Sequence, residues 1–272
     1  MTFSPVLPIG GYAGYAFLKR TLPAQTKAFE QQAVIKRDEA YFRAKIGKID
    51  TAEQLVNDPR LLRVALGAFG LQNDVGNKFF IRKVLEEGTL TTKALANRLS
   101  DKQYAKLANA FGFGNGSAAP RTKLSDFADK ILTAYKAQQF AVAVGVQSDE
   151  MRLALNAERE LPELAKSGAS ETAKWFTVLG NAPLRRVFEK AFGLPTSFGA
   201  IDIDKQVETL KDRTKAAFGN DGLNQFTDPG KLEKLVRQFL IRSEVDSANA
   251  SLSGGQIALT LLQSSTFSFR RR

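Results

Sequence analysis

Apolar positions recur along this chain at three- and four-residue spacings, the period of an amphipathic helix. Leu61, Leu62, Ala65, Leu66 and Phe69 form one such stripe, and Tyr104, Leu107, Ala108 and Phe111 form another. Phe79, Phe80 and Ile81 with Val84 and Leu85 lead to Gly88, and Trp175, Val178 and Leu179 lead to Gly180. No window alternates apolar and polar residues between turn dipeptides as a strand would. Start signals agree with this: Asp58-Pro59 and Asp228-Pro229 each set a capping side chain before a proline suited to the first helical turn. Ser100 and Gln103 have capping-box spacing. The pattern predicts an all-α chain of about ten short to medium helices.

Stop signals recur as well. Ala68-Phe69-Gly70-Leu71, Ala110-Phe111-Gly112-Phe113, Ala191-Phe192-Gly193-Leu194 and Ala217-Phe218-Gly219 each read as a helix C-terminus. The Phe is the last core-facing residue, and the Gly takes a left-handed backbone that other residues resist. Two copies agree over a longer stretch: at an offset of 123, Leu61, Arg63, Val64, Ala68, Phe69, Gly70 and Leu71 fall on Leu184, Arg186, Val187, Ala191, Phe192, Gly193 and Leu194. Gly76 then falls on Gly199 and Val84 on Val207. This order predicts a degenerate tandem duplication, residues 25–156 and 157–265. The prolines and glycines of residues 1–24 predict an extended N-terminal arm, residues 112–122 a flexible Gly/Ser/Ala loop, and residues 266–272 a basic C-terminal tail.

Composition narrows the chemistry. The 272 residues include no Cys and no His, which removes disulfides, thiolate nucleophiles, imidazole bases and the metal sites built on either ligand. Gly112-Phe113-Gly114-Asn115-Gly116 follows a helix, not a strand, so it does not fit a phosphate loop. Counted from Asp202, the sixth and twelfth positions are Val207 and Arg213, so no EF-hand is present. No cofactor or metal is expected and no catalytic constellation emerges; an enzyme would have to work with carboxylates or lysine.

The net charge of +11 raises nucleic acid as a partner, bound by dispersed Arg and Lys. The charge is spread, however, with +7 on residues 1–150 and +4 on 151–272, which favours solubility or an acidic protein partner instead. The candidate contacts are Arg60, Arg63, Arg82, Lys83, Arg185 and Arg186, whose alternative role is pairing within the chain, and Tyr12 and Tyr15 on the arm. No stretch reaches the roughly 20 apolar residues of a membrane helix. Lys19 and Arg20 follow the mildly apolar N-terminal stretch where a signal peptide carries its charges first. A cytoplasmic protein, or one exported without a cleaved signal, is expected.

Pro5-Val6-Leu7-Pro8-Ile9-Gly10-Gly11-Tyr12, Arg37-Asp38, Tyr41-Phe42, Thr51-Ala52-Glu53, Arg60 through Leu71 and Phe79 through Glu86 together resemble domain-of-unknown-function family 1217, an alphaproteobacterial family. The likeness is best over roughly residues 3–114. It implies a motility-related role, since members tend to be encoded among flagellar genes, and it carries no catalytic residues across. A non-enzymatic helical protein-interaction module with a flagellar partner is therefore the leading expectation.

Overall fold

A computed structural model describes residues 3–116 and 119–251 of the chain. The regular structure there is helical throughout, as the periodicity predicts. Six helices come first: α1 (Gly11–Glu30), α2 (Ala33–Ile46), α3 (Ala52–Asn57), α4 (Pro59–Ala68), α5 (Lys78–Glu87) and α6 (Leu95–Arg98). They are followed by α7 (Gln103–Phe111), α8 (Phe127–Gly145), α9 (Asp149–Lys166), α10 (Glu171–Leu179), α11 (Ala182–Ala191), α12 (Ile203–Phe218) and α13 (Pro229–Ser251). Short 3₁₀ turns such as Gln72–Asp74, Thr196–Ala200 and Leu223–Thr227 join some of them. None of the described helices is long and apolar enough to cross a membrane.

Helices α8 and α9 form the spine. The first packs on α4 and α2, the second on α8, α11, α13 and the Leu223–Thr227 turn. Because α8 and α9 face each other, the apolar side chains of both ends of the chain merge into one buried cluster that runs from Tyr15 to Leu240. Phe188 lies within it, its ring centroid 5.2 Å from that of Trp175 and 5.7 Å from that of Phe226, both edge-on. A small satellite cluster, Val84, Ala96 and Ala108, sits under α5, α6 and α7.

Both Asp-Pro caps read from sequence are formed. Asp58 accepts hydrogen bonds from the Arg60 and Leu61 amides at 3.0 Å, ahead of Pro59, and Asp228 accepts from the Gly230 amide at 2.8 Å. Asn181, which the sequence reading did not single out, caps α11 by accepting from the Leu184 amide at 3.1 Å. Gly70, Gly112, Gly193 and Gly219 all have positive φ, between 63° and 84°. After α4 the Leu71 amide reaches back to the Leu66 carbonyl at 2.9 Å, and after α11 Leu194 reaches Glu189 at 2.8 Å, the long-range bond of a Schellman cap. The capping box at Ser100 does not form: α7 starts at Gln103, whose amide bonds to Asp101 and whose side chain turns to Glu160.

The extended arm is much shorter than predicted. Of the described residues, 3–10 precede α1, which runs through Gly11, Gly14 and Pro23, three of the positions that read as irregular. Its stripe of Tyr15, Leu18, Gln25 and Phe29 is buried, so packing outweighs the cost of Pro23 inside the helix. The short N-terminal segment is itself docked. Gln25 pairs with both backbone groups of Val6, at 2.8 and 3.1 Å, and Gln147 donates to the Pro5 carbonyl at 2.6 Å. Gly14 allows the close approach, since a Cβ there would lie 1.9 Å from the Ile9 carbonyl oxygen. Residue 24 lies inside α1 and residue 156 inside α9. The loop at 112–116 is non-helical as expected but packs on the end of α5, where the Asn115 side chain accepts from the Thr89 amide at 3.4 Å. The basic tail at 266–272 and the end of the second repeat lie outside the described residues.

Candidate functional site

Helix α1 crosses both α9 and α13, and where the three meet they leave a groove of about 480 Å³. Leu232, Val236, Pro229, Ala16 and the rings of Tyr12 and Tyr15 line it, with Lys19, Glu158 and Glu233 at the polar edge. The heptad-like spacing of α13 explains the floor: Leu232, Leu235, Val236, Phe239 and Leu240 are all buried, and the residues between them face out. Tyr12 donates its hydroxyl to Glu233 Oε1 at 2.9 Å, and the Arg237 guanidinium lies 5.3 Å above its ring. Lys19 pairs with Glu158.

Tyr15 differs from Tyr12. Its side chain is buried, and its hydroxyl has the Glu158 carboxylate as its polar neighbour. Burial, and after it the neighbouring Glu158 carboxylate, pushes its pKa well up, so it remains a neutral phenol. The hydrogen bond to Glu233 is the larger cause of the smaller rise at Tyr12.

The basic candidates are each engaged within the chain. Arg60 stacks 4.8 Å over Tyr41, whose hydroxyl donates to Asp58 at 2.7 Å. Arg63 pairs with Asp38, a carboxylate only 2% exposed that also accepts from the Tyr135 hydroxyl at 2.8 Å. Arg82 bridges Glu86 at 2.7 Å and Glu53 at 3.1 Å, and Lys83 lies 3.8 Å from Glu87. On α11, Arg185 pairs with Glu189 at 2.7 Å and Arg186 with Asp149 at 2.9 Å. Of the residues singled out in the sequence, the fold thus gathers Tyr12 and Tyr15 into one groove and directs the others to partners on their own or adjacent helices.

Sequence reasoning missed a second polar centre. Glu160 on α9 accepts from Gln103 Nε2 at 3.0 Å, Lys106 Nζ at 2.9 Å and Asn181 Nδ2 at 2.8 Å, with Arg159 at 3.4 Å. Arg159 also donates to Gln138 and Asn156. A groove of about 550 Å³ opens beside this cluster, between Phe69, Lys106, Thr133 and Glu163. Its members come from α7, α8, α9 and the cap of α11, and no local spacing marks them as neighbours. Among the described residues no group of three or more acidic side chains is placed to hold a metal ion.

No curated protein matches the chain. A crystal structure of protein AGR_C_984 from Agrobacterium tumefaciens is similar to it, with 27% identity and a TM-score of 0.73 over 89% of this chain and 99% of the other. The likeness in fold thus spans most of this chain and nearly the whole of the other. A family model described as "Protein of unknown function (DUF1217)" matches residues 68–232, which shares only 68–114 with the 3–114 stretch where the sequence likeness was placed and extends beyond it to 232; the match covers more than half of the chain, so the protein belongs to that family.

Proposed function

We propose that this protein is a non-catalytic helical interaction module that serves flagellar assembly or motility by binding another protein, from the cytoplasm or after export without a cleaved signal. The observation that carries the reading is the state of its ionisable groups. The candidate cations are taken up by carboxylates or rings of the same chain, and Glu160 and Asp38 are filled by donors that hold helices together. What the surface offers instead is shape: grooves between helices, floored by apolar side chains and edged by polar ones, which suit a helix or peptide. The link to the flagellum rests on the family.

We also read α4 with its following turn and α5 as the first copy of a duplicated unit, and α11 with its turn and α12 as the second. The support is parallel: an Asp or Asn cap, a proline in the first turn, a Schellman glycine, a 3₁₀ turn and a further helix, in that order. Deleting the gene in its native host and scoring swimming tests the function. Impaired swimming or altered flagella is expected, and normal motility with intact flagella would sink the proposal.

A further inference from the structure

We propose that the groove along α1 in which residues 3–10 lie is a binding site for an extended, uncharged segment of a protein partner, with residues 3–10 as its intramolecular competitor; this rests on the interaction reading above and names one contact surface and its ligand. Residues 3–10 are not helical, and their burial alternates: Phe3, Pro5 and Leu7 turn inward, whereas Ser4, Val6 and Pro8 are exposed. That is how a peptide lies in a groove. Gln25 on α1, only 7% exposed, pairs through its side-chain amide with both the N–H and the carbonyl of Val6, and its N–H₂ also donates to Thr21 Oγ1 at 2.8 Å. Thr21 is in turn anchored to the Phe17 carbonyl at 2.9 Å, so the helix itself aims the amide at a passing backbone. Gln147, in the turn between α8 and α9, donates to the Pro5 carbonyl.

These contacts decide what kind of ligand fits. Apart from the Ser4 hydroxyl, which meets Gln147 at 3.1 Å, the two glutamines read only main chain, and residues 3–10 carry no charge, so polar contacts do not tie the groove to this one sequence. Identity enters through the inward side chains. Phe3 lies edge-on to Phe29, ring centroids 6.3 Å apart, and Phe29 edge-on to Phe140 at 5.6 Å, so the floor is aromatic. An aromatic residue, a proline two positions on and an aliphatic residue two further on reproduce that pattern, and the proline favours the extended chain before binding. The segment joins α1 through Gly10 and Gly11. A Cβ at Gly10 would meet nothing within 4 Å, and Gly11 holds a φ of +62°, so this joint has the backbone freedom to let the segment swing out. So short a tether makes residues 3–10 a competitor at an effective concentration of about millimolar.

The test is fluorescence anisotropy on the full chain with two labelled peptides: acetyl-Phe-Ser-Pro-Val-Leu-Pro-amide, the sequence of residues 3–8, and acetyl-Phe-Gln-Pro-Ala-Leu-Gln-amide, which keeps only the three inward residues. Phe3→Ala weakens the competitor and leaves the groove intact, so both peptides should bind this variant about 10-fold or more tightly than wild type. Adding Gln25→Ala, or Gln147→Ala at an exposed turn where folding is not at stake, should weaken that binding about 5-fold or more. Equal affinity for wild type and Phe3→Ala, binding of neither peptide to the variant, or indifference to both glutamine changes overturns the site. Binding of the first peptide alone ties the groove to its own segment and overturns the partner. A wild-type dimer in sedimentation that Phe3→Ala dissolves also overturns it, in favour of a second copy of this chain. The two proposals separate cleanly: impaired swimming on gene deletion without peptide binding removes this site alone, and peptide binding with normal swimming removes the flagellar role alone.

Discussion

Replacing Glu160 by alanine removes the acceptor on which α7, α9 and the start of α11 converge, and the donors it strands differ in how well they can recover. Lys106 is 41% exposed and can turn to water, and Arg159 keeps Gln138 and Asn156. Asn181 is 2% exposed, and its Oδ1 is already fixed as the cap of α11, so its amide N–H₂ has nowhere to go. One stranded buried donor costs about 1–3 kcal/mol, and the lost charge-assisted bonds and side-chain packing bring the total to about 3–4 kcal/mol. For a chain of 272 residues, unfolding entropy of about 2.1 cal/mol/K per residue turns this into a Tm drop of about 5–7 °C. Thermal melts followed by circular dichroism at pH 7 measure it, and Glu160→Gln, which keeps one acceptor oxygen, should lose about half as much. Burial alone would raise the Glu160 pKa, yet Lys106, then Arg159 and Gln103, hold it below its ordinary value. A depressed folded value means the carboxylate contributes stability above about pH 4.3, the unfolded value, and that contribution disappears as pH falls through the folded one. The gap between wild type and Glu160→Gln should therefore narrow below about pH 4. A Glu160→Ala variant melting within 1 °C of wild type at pH 7, or a gap that widens in acid, would refute the reasoning.

Three further outcomes follow from the packing. Phe188→Ala empties the centre of the Trp175, Phe192 and Phe226 cluster and should cost about 3–5 kcal/mol in urea unfolding at constant m-value. Asp38→Ala leaves the Tyr135 hydroxyl buried without its acceptor and Arg63 unpaired, and should lower stability by about 3 kcal/mol in the same assay, whereas Arg82→Ala, on an exposed and solvent-screened pair, should leave the urea midpoint essentially unchanged. Gly14→Val drives a side chain into the Ile9 carbonyl and should release residues 3–10, seen as faster amide exchange at Val6, whose N–H is now held by Gln25.

The helices and their ends were legible in the sequence because the determining interactions are local. Apolar spacing shows which face of α4, α7 or α11 is buried, and a cap needs only the residue before a helix and the glycine after it, so Asp58, Gly70, Gly112, Gly193 and Gly219 could be placed from neighbours alone. Local signals misled at α1, where Pro23, Gly11 and Gly14 suggest irregular chain and burial of Tyr15, Leu18 and Phe29 against distant helices outweighs them. They were incomplete at the groove: Tyr12 and Tyr15 could be singled out, but their partners Glu158 and Glu233 lie more than a hundred positions away. They were silent at Glu160, whose donors at 103, 106 and 181 are assembled only by helix packing. Composition alone excluded thiol and imidazole chemistry. Which charges are satisfied, and which hydroxyls are buried, was decided by the tertiary structure, because hydrogen bonding and burial depend on groups that sequence spacing does not bring together.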